Sequence, residues 1–495
     1  MSRSRFPWGA FLVLATATAC DAPTALPLSP GLAAAARASG AATVTNPAEY
    51  DDNGNGIVCV KTVPASGKAS PRAGERTIAR DDDGAGGCPG GFEAVSLVQP
   101  RTVASGSSHA CALDGAGAAW CWGSSANGAL GVPGVTQSLT PVQVQGAPPL
   151  VSLVAGNNFT CGLDEARAAW CWGWNIGGQL GAGDPLLPFS DAPVPVAGGI
   201  AFAALDAGER HACGMDDAGQ LFCWGSNNNG ALGVVGPDAF APVAGAGALR
   251  FRSVDAGLIA TCGIATDDQT WCWGSDVWNQ GGNGVVASGP TPSPVASPPL
   301  FESIGFGAVG GCGLDDAGAA WCWSTFPLNY GWLGNGTFAG SSVPVPVSGG
   351  HVFRAIHSAD ANNILWYQCG IDDANAARCW GSNFYGQLGT AASMAACPEA
   401  GPGGPHPCSE VPVAVEGGHA WAEIDAGLGF VCGRTTANAL YCWGRNETGT
   451  LGDGTLTSRH LPGPVAFGAP LLAAASIHGD PASAGGAADA RILKD

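Results

Sequence analysis

The sequence is poor in charge, and poorest in positive charge. Only 12% of its residues are charged, and 20 basic side chains stand against 39 acidic ones, a net charge of −19. Phosphate backbones demand a basic footprint, so no nucleic-acid partner is expected. There is no run of 18 apolar residues, so no spanning helix is expected. The 78 glycines show no three-residue period, which excludes a collagen-like rod. No G-x-S-x-G elbow, H-E-x-x-H helix or P-loop occurs, so the common local signatures of a hydrolase, a zinc protease and a nucleotide-binding protein are missing.

What the chain does have is length, apolar residues and turn formers. It runs to 495 residues, 46% hydrophobic, enough for a large core. Its 78 Gly and 36 Pro point to many tight turns rather than long helices. At the start, Arg3 and Arg5 precede a short apolar stretch from Phe6 to Ala15. That pattern is a secretory signal peptide over 1–19, too short to anchor a protein by itself. Ala17-Thr18-Ala19-Cys20 resembles a bacterial lipobox, in which Cys20 is acylated and becomes the new N-terminus. Ordinary signal cleavage is the alternative. Either route delivers the chain to a compartment that permits disulfides, as a cell-envelope or surface lipoprotein or as a secreted soluble protein.

The 19 cysteines resolve into pairs and one remainder. Fourteen stand ten apart: Cys111 with Cys121, Cys161 with Cys171, Cys213 with Cys223, Cys262 with Cys272, Cys312 with Cys322, Cys369 with Cys379 and Cys432 with Cys442. Between each pair runs a text like A-L-D-G-A-G-A-A-W. Asp followed three residues later by Gly signals a type I turn with a left-handed bulge residue. Folded as a hairpin about that turn, Leu113 faces Ala119, Ala112 faces Trp120 and Cys111 lands across from Cys121. A non-hydrogen-bonded cross-strand pair has Cα atoms about 4.5 Å apart, within disulfide reach. A spacing of nine or eleven would put the sulfurs on opposite faces. Each bridge removes about 2–3 kcal/mol of unfolded-state freedom. Zinc is not expected, because its ligands cluster at shorter spacing. Cys397 and Cys408 pin a long insertion, Cys59 and Cys88 close a small N-terminal segment, and Cys20 is the remainder.

Each cysteine hairpin belongs to a longer unit. Cysteine to cysteine, the steps are 50, 52, 49, 50, 57 and 63 residues. Four short strands fit each unit, for example PVQVQ (141–145), LVSLVAG (150–156), FTCGLD (159–164) and AAWCWGW (168–174). Self-similarity at this period predicts an all-β chain, a seven-bladed β-propeller with four short strands per blade. In this reading a Pro-Val strand opens each blade, and residues 463–467 complete the first blade and shut the ring, with Val95-Ser96-Leu97-Val98 as the alternative for that slot. The recurring text C-x-L-D-x-x-G-x-x-W-C-W-G-x-N-x-x-G-x-L-G, clearest at 161–181 and 213–233, resembles the regulator-of-chromosome-condensation repeat family in its exported bacterial, cysteine-paired form. The resemblance covers residues 93–468 and implies a seven-bladed propeller. The expected organisation is a signal peptide (1–19), a flexible lipoprotein tether (20–50), a small disulfide-closed segment (51–92), the propeller (93–468) and a disordered tail (469–495).

No catalytic site is expected. His109 and His211 stand two residues before a first cysteine, where other units have Phe, Tyr, Ala or Gly, so they read as packing residues. Trp120, Trp122, Trp170, Trp172, Trp224, Trp271, Trp273, Trp321, Trp323, Trp380 and Trp443 recur at fixed places and should fill space between blades. Trp174, Trp278 and Trp332 depart from the repeat and are candidates for partner contact. Acids gather at the hairpin turns, so one rim should be negative. Asp51, Asn53 and Asn55 match the first half of a calcium loop, but Thr62 stands where the closing Glu belongs; a hairpin turn at Asn-Gly is the other reading. Calcium aside, no cofactor is expected. The reading that follows is a monomeric, non-catalytic scaffold recognising a protein or peptide partner through one propeller face, touching membrane only through its lipid. A propeller enzyme (lyase or hydrolase) with a central-channel site and a structural envelope protein are the alternatives. Three or more convergent titratable groups at the channel would favour the enzyme.

Overall fold

The structure, a computed structural model, describes residues 100–467 apart from 297–298, 328–329, 360–365, 393, 395 and 398–405, together with three N-terminal strands. Those strands, Ile57–Thr62, Arg76–Ala79 and Glu93–Ser96, form a small antiparallel sheet with Ile57–Thr62 in the middle. The rest is seven four-stranded antiparallel sheets, the blades of a propeller. In blade 1 the strands are Thr102–Ser105 (inner), His109–Leu113, Ala119–Ser124 and Gln137–Gln143 (outer). Inner strands of successive blades touch one another around the axis, and Trp421–Ala426 of blade 7 touches Thr102–Ser105 of blade 1.

The cysteine hairpin has the register the spacing demands. Cys111 pairs with Cys121, Ala112 with Trp120 and Leu113 with Ala119. In blade order the bonds are Cys111–Cys121, Cys161–Cys171, Cys213–Cys223, Cys262–Cys272, Cys312–Cys322, Cys369–Cys379 and Cys432–Cys442. Their Cα atoms lie 4.0–4.1 Å apart. That is closer than the roughly 4.5 Å of an unbridged pair, as expected when a covalent bond draws the strands together.

The second cysteine of each hairpin also sits beside a feature that the spacing of ten does not predict. Cys121, Cys171, Cys223, Cys272, Cys322, Cys379 and Cys442 each pair on their other side with the outer strand, and the register shifts immediately after each of them. Such a bulge increases the local twist of the strand. The hairpin's own register is unbroken there, so the bulge belongs to the outer strand alone.

The fourth turn residue is left-handed in every blade. It is Gly117, Gly219 and Gly318 in three, but Arg167, Asp268, Asn375 and Asn438 in the others, at φ 60–66°. A side chain there costs about 1 kcal/mol of backbone strain, small beside the bridge that holds the hairpin.

The blade order corrects one expectation. The Pro-Val strand does not open a blade; it is the outer strand of the blade before, as Gln137–Gln143 pairs with Ala119–Ser124. Every blade is therefore continuous in sequence, and Arg459–Pro464 stays in blade 7. Among the described residues, no strand is exchanged to shut the ring. Proline, lacking an N–H, suits an edge strand because nothing further has to pair with it.

Closure comes from packing between blades. The tryptophan that follows the second cysteine of each hairpin is buried, and its indole N–H donates to a carbonyl of the preceding blade. Trp172 reaches Ala129 (3.0 Å), Trp224 Gln179 (2.9 Å), Trp273 Ala231 (3.0 Å), Trp323 Gln280 (2.8 Å), Trp380 Trp332 (2.8 Å) and Trp443 Gln387 (3.0 Å). Trp122 of blade 1 closes the circle on Thr450 of blade 7 at 2.9 Å. Each bond contributes about 1 kcal/mol; burying the ring contributes more, since emptying such a site costs about 3–5 kcal/mol. The glycine ending the L-G doublet, G-G in blade 4, makes room. Gly131, Gly181, Gly233, Gly282, Gly334, Gly389 and Gly452 all have φ of 60–71°, and a Cβ on each would meet the next blade's indole.

A second ring of close contacts lies at the axis. A Cβ on Gly106, Gly156, Gly208, Gly257, Gly307 or Gly427 would stand under 3.0 Å from a backbone oxygen of the next blade's equivalent residue. Only blade 6 differs, with Ala359.

Blade 1 has one gap in the pattern. Five residues before the end of the inner strand, the other blades carry Leu150, Phe202, Phe251, Phe301, Phe353 and Trp421, whereas blade 1 has Pro100. Phe202, Phe251, Phe301, Phe353 and Trp421 pack on the tryptophan after their blade's second cysteine, with ring centroids 5.3–5.8 Å apart. In blade 1 the partner comes from the far end of the chain: Phe467 stands edge-on to Trp120 (6.2 Å) and Trp122 (6.3 Å). The expected help from residues 463–467 thus arrives as a side chain rather than as a strand.

Candidate functional site

The topology gives the propeller two unlike faces. Hairpin turns lie on one, where inner strands begin. The short links after the inner strand and the long links between third and outer strands lie on the other, the loop face. Both the entry at Pro100 and the exit after Phe467 lie toward the turn face: Arg101 donates to Leu113 there, and Val465 to Leu440.

The turn face is acidic, but most of the acid is structural. Asp114 Oδ1 accepts the N–H groups of Ala116 and Ala118, both at 2.9 Å, and Oδ2 accepts the Trp120 indole at 3.0 Å. Asp315 repeats this with Ala317, Ala319 and Trp321. The first tryptophan of these hairpins is thus tied to its own turn. Of the second acids, Asp217 pairs with Arg167 and Asp268 with Arg252. Glu165, Asp316 and Asp373 stay exposed.

The loop face is apolar at its tips. Among the described residues fifteen large hydrophobic side chains are exposed, and eight of them lie in third-to-outer links. Ile176, Val277 and Phe384 occupy the same tip position in blades 2, 4 and 6, at 66%, 54% and 39% exposure. Trp174 and Trp278 lie beside these tips and are half-buried. The Arg210 guanidinium sits 5.8 Å over the Trp174 ring, and Trp278 stands edge-on to Phe326 at 4.7 Å. Trp332 does not reach the surface: it is buried at 1%. Blade 5 has Gly310 where other blades carry a larger residue, and the Trp332 ring fills that space. The insertion is pinned by the Cys397–Cys408 bond.

The histidines two before the cysteine are packing residues, as expected. His109 Nε2 meets Thr160 Oγ1 of the next blade at 2.8 Å, and His211 meets Thr261 likewise. Burial holds both imidazoles neutral, lowering each pKa to about 4.

Sequence reasoning missed the channel. Two residues before the axial glycine, or before Ala359 in blade 6, the inner strands carry Ala104, Val154, Asp206, Asp255, Gly305, His357 and Asp425. The signal was legible in L-D-A-G (205–208), V-D-A-G (254–257) and I-D-A-G (424–427), which a register fixed on the cysteines alone passes over. Two of the three carboxylates bond to the next blade's backbone. Asp425 accepts Ser105 N–H at 2.6 Å and Asp206 accepts Ala256 N–H at 2.5 Å. Among the described residues, no three His, Cys, Asp or Glu side chains are placed to hold a metal ion. Cys20, Asp51, Asn53, Asn55, Cys88 and the side chain of Cys59 lie outside the described residues, and with them the lipid, calcium and Cys59–Cys88 expectations.

Regulator of chromosome condensation (RCC1) repeat models match residues 101–129, 202–231 and 116–163. No curated protein matches the sequence. Among solved structures, Prp20p from Saccharomyces cerevisiae is similar, with 17% identity and a TM-score of 0.57, covering 75% of this chain and 89% of that one. Human WBSCR16 is similar at 15% identity and a TM-score of 0.58, covering 75% and 96%. These two likenesses speak for the fold. Residues 101–163 and 202–231 read as regulator-of-chromosome-condensation repeats, and the chain folds as a seven-bladed propeller.

Proposed function

We propose that this chain is a non-catalytic binding scaffold that recognises a protein or peptide partner through its loop face. One observation carries the reading: the apolar tips Ile176, Val277 and Phe384 stand exposed at equivalent positions on the face that also carries exposed Leu186, Val235, Val285, Val286 and Leu456. Among the described residues, the propeller is entered at Pro100 and left at Phe467 toward the opposite face. Prp20p has binding properties to Gsp1p and histones, so a propeller of this shape can work by binding proteins. The eight bonded cysteine pairs among the described residues support an oxidising, extracytoplasmic location. No helix among those residues is long and apolar enough to cross a membrane; attachment through a lipid on Cys20 is read from the lipobox-like Ala17–Cys20 alone.

The test is capture from a native surface extract by the full chain. Ile176→Ser, Val277→Ser and Phe384→Ser together should abolish capture, while Glu165→Ser, Asp316→Ser and Asp373→Ser together should leave it intact. The reverse pattern moves the site to the turn face. The enzyme alternative has the channel aspartates and His357 in its favour. Against it, Asp206 and Asp425 are already bonded to backbone N–H groups.

A further inference from the structure

Six junctions of the ring are spanned by the chain itself, because each outer strand runs on into the next blade's inner strand. The seventh joins the last blade in sequence to the first and has no such link. Most of the six carry a further tie on the turn face. The backbone N–H groups of Leu150, Phe202, Phe251, Phe353 and Trp421 donate to the carbonyl of the left-handed turn residue in the blade before, at 2.8–2.9 Å. Between blades 4 and 5, Arg252 serves instead, donating to the carbonyls of Phe301 and Glu302, both at 2.9 Å. At the junction of blades 7 and 1 the donor's position is held by Pro100, and proline has no N–H. This junction therefore lacks the link, the backbone tie and the inner aromatic together.

Its loop-face side is nevertheless complete. Besides the Trp122 bond to Thr450, Gln137 Nε2 donates to the Thr448 carbonyl (3.1 Å) and Gly454 N–H to Leu139 (2.9 Å). On the turn-face side two substitutes stand in. Glu423 is the first, where the other inner strands carry Thr, Ser or Ala. It accepts Thr102 Oγ1 at 2.7 Å and Val103 N–H at 3.3 Å, and Arg434 of its own blade holds it at 3.4 Å. Phe467 is the second. Its segment is fixed to blade 7, with Val465 N–H on Leu440 (3.0 Å) and Ala466 N–H on Gly452 (2.8 Å). The next side chain crosses to Trp120 and Trp122 of blade 1, in a core that joins Phe430 and Leu440 to Val103 and Ala112.

We infer that the junction of blades 7 and 1 is a seam that opens on the turn face ahead of the rest of the ring, with its loop-face side as hinge and Phe467 as latch. A covalent link cannot be withdrawn, but one side chain can. Phe467 follows the last backbone bond of its segment, so it swings out without breaking a strand. Local opening starts where the fewest interactions have to be given up, and here those are one ring and the contacts of Glu423. The tips Ile176, Val277 and Phe384 lie on the opposite face, in blades 2, 4 and 6, so the opening leaves them in place.

Amide hydrogen exchange on the full chain, in water and in low guanidinium, tests the seam. The inner strands beside it, Thr102–Ser105 and Trp421–Ala426, are compared with Phe251–Ala256 of blade 4. Relative to intrinsic rates, the seam strands should exchange roughly tenfold faster or more. Their rates should also rise less steeply with denaturant, because a partial opening exposes less surface than unfolding does. In F467A the seam strands should exchange faster than in the native chain by roughly another tenfold or more. Should F467A not fold, F467L takes its place, with an expected gain of about threefold. Equal protection and equal denaturant dependence in all three strands, or seam rates in the variant that match the native chain, overturn the inference.

Discussion

The two faces of the propeller are built from the same repeat and have diverged in opposite ways. On the turn face seven short turns share one geometry, and even Arg167, Asp268, Asn375 and Asn438 accept a left-handed backbone to keep it. On the loop face the links vary in length, carry the Cys397–Cys408 insertion and put Ile176, Val277 or Phe384 where other blades have Ala126, Asn228, Pro327 or Glu447. Repetition marks what the ring needs in order to stand. Departure from it, where it leaves apolar side chains in water, marks what the ring is free to use.

Substitutions put that contrast to the test. The largest effect is expected at a repeated position. Trp443→Ala removes a buried indole and its bond to Gln387, and should cost about 3–5 kcal/mol in chemical denaturation. A cost below 1 kcal/mol would mean the blades are not bolted this way. Phe467→Ala should come next, at about 2–3 kcal/mol, because the side chain is 9% exposed and lends blade 1 its missing aromatic. Truncation after residue 466 should reproduce that loss; an unchanged denaturation midpoint would remove Phe467 from ring closure. The smallest effect on stability belongs to the loop tips. Val277→Ser should fall within about 0.5 kcal/mol of the native chain, even though the tips dominate the expected loss of capture. A large destabilisation there would make the tips structural and erase the contrast.

Much of this was legible in the residues. Spacing of ten fixed the hairpin register and the seven hairpin disulfides, because only one parity puts both sulfurs on one face. It said nothing of the bulge after Cys171, Cys223 or their equivalents, which depends on the outer strand. The period of about fifty gave seven blades. Blade boundaries were less legible: a Pro-Val strand between two hairpins can pair with either, and only the hydrogen bonds of Gln137–Gln143 assign it backwards. Trp332 looked like a departure open to a partner, but its surroundings depend on Gly310, twenty-two positions earlier, whose missing side chain leaves the space it fills. The channel aspartates were written in the D-A-G triplets, yet their meaning depends on the next blade's N–H groups, which no local pattern states.

The contrast between faces is tested most directly by placing a photo-crosslinking residue at Val277 and, separately, at Asp316, in the full chain on native surface extract. The account predicts a discrete protein adduct from position 277 and none from 316. An adduct formed from 316 and absent from 277 would contradict it.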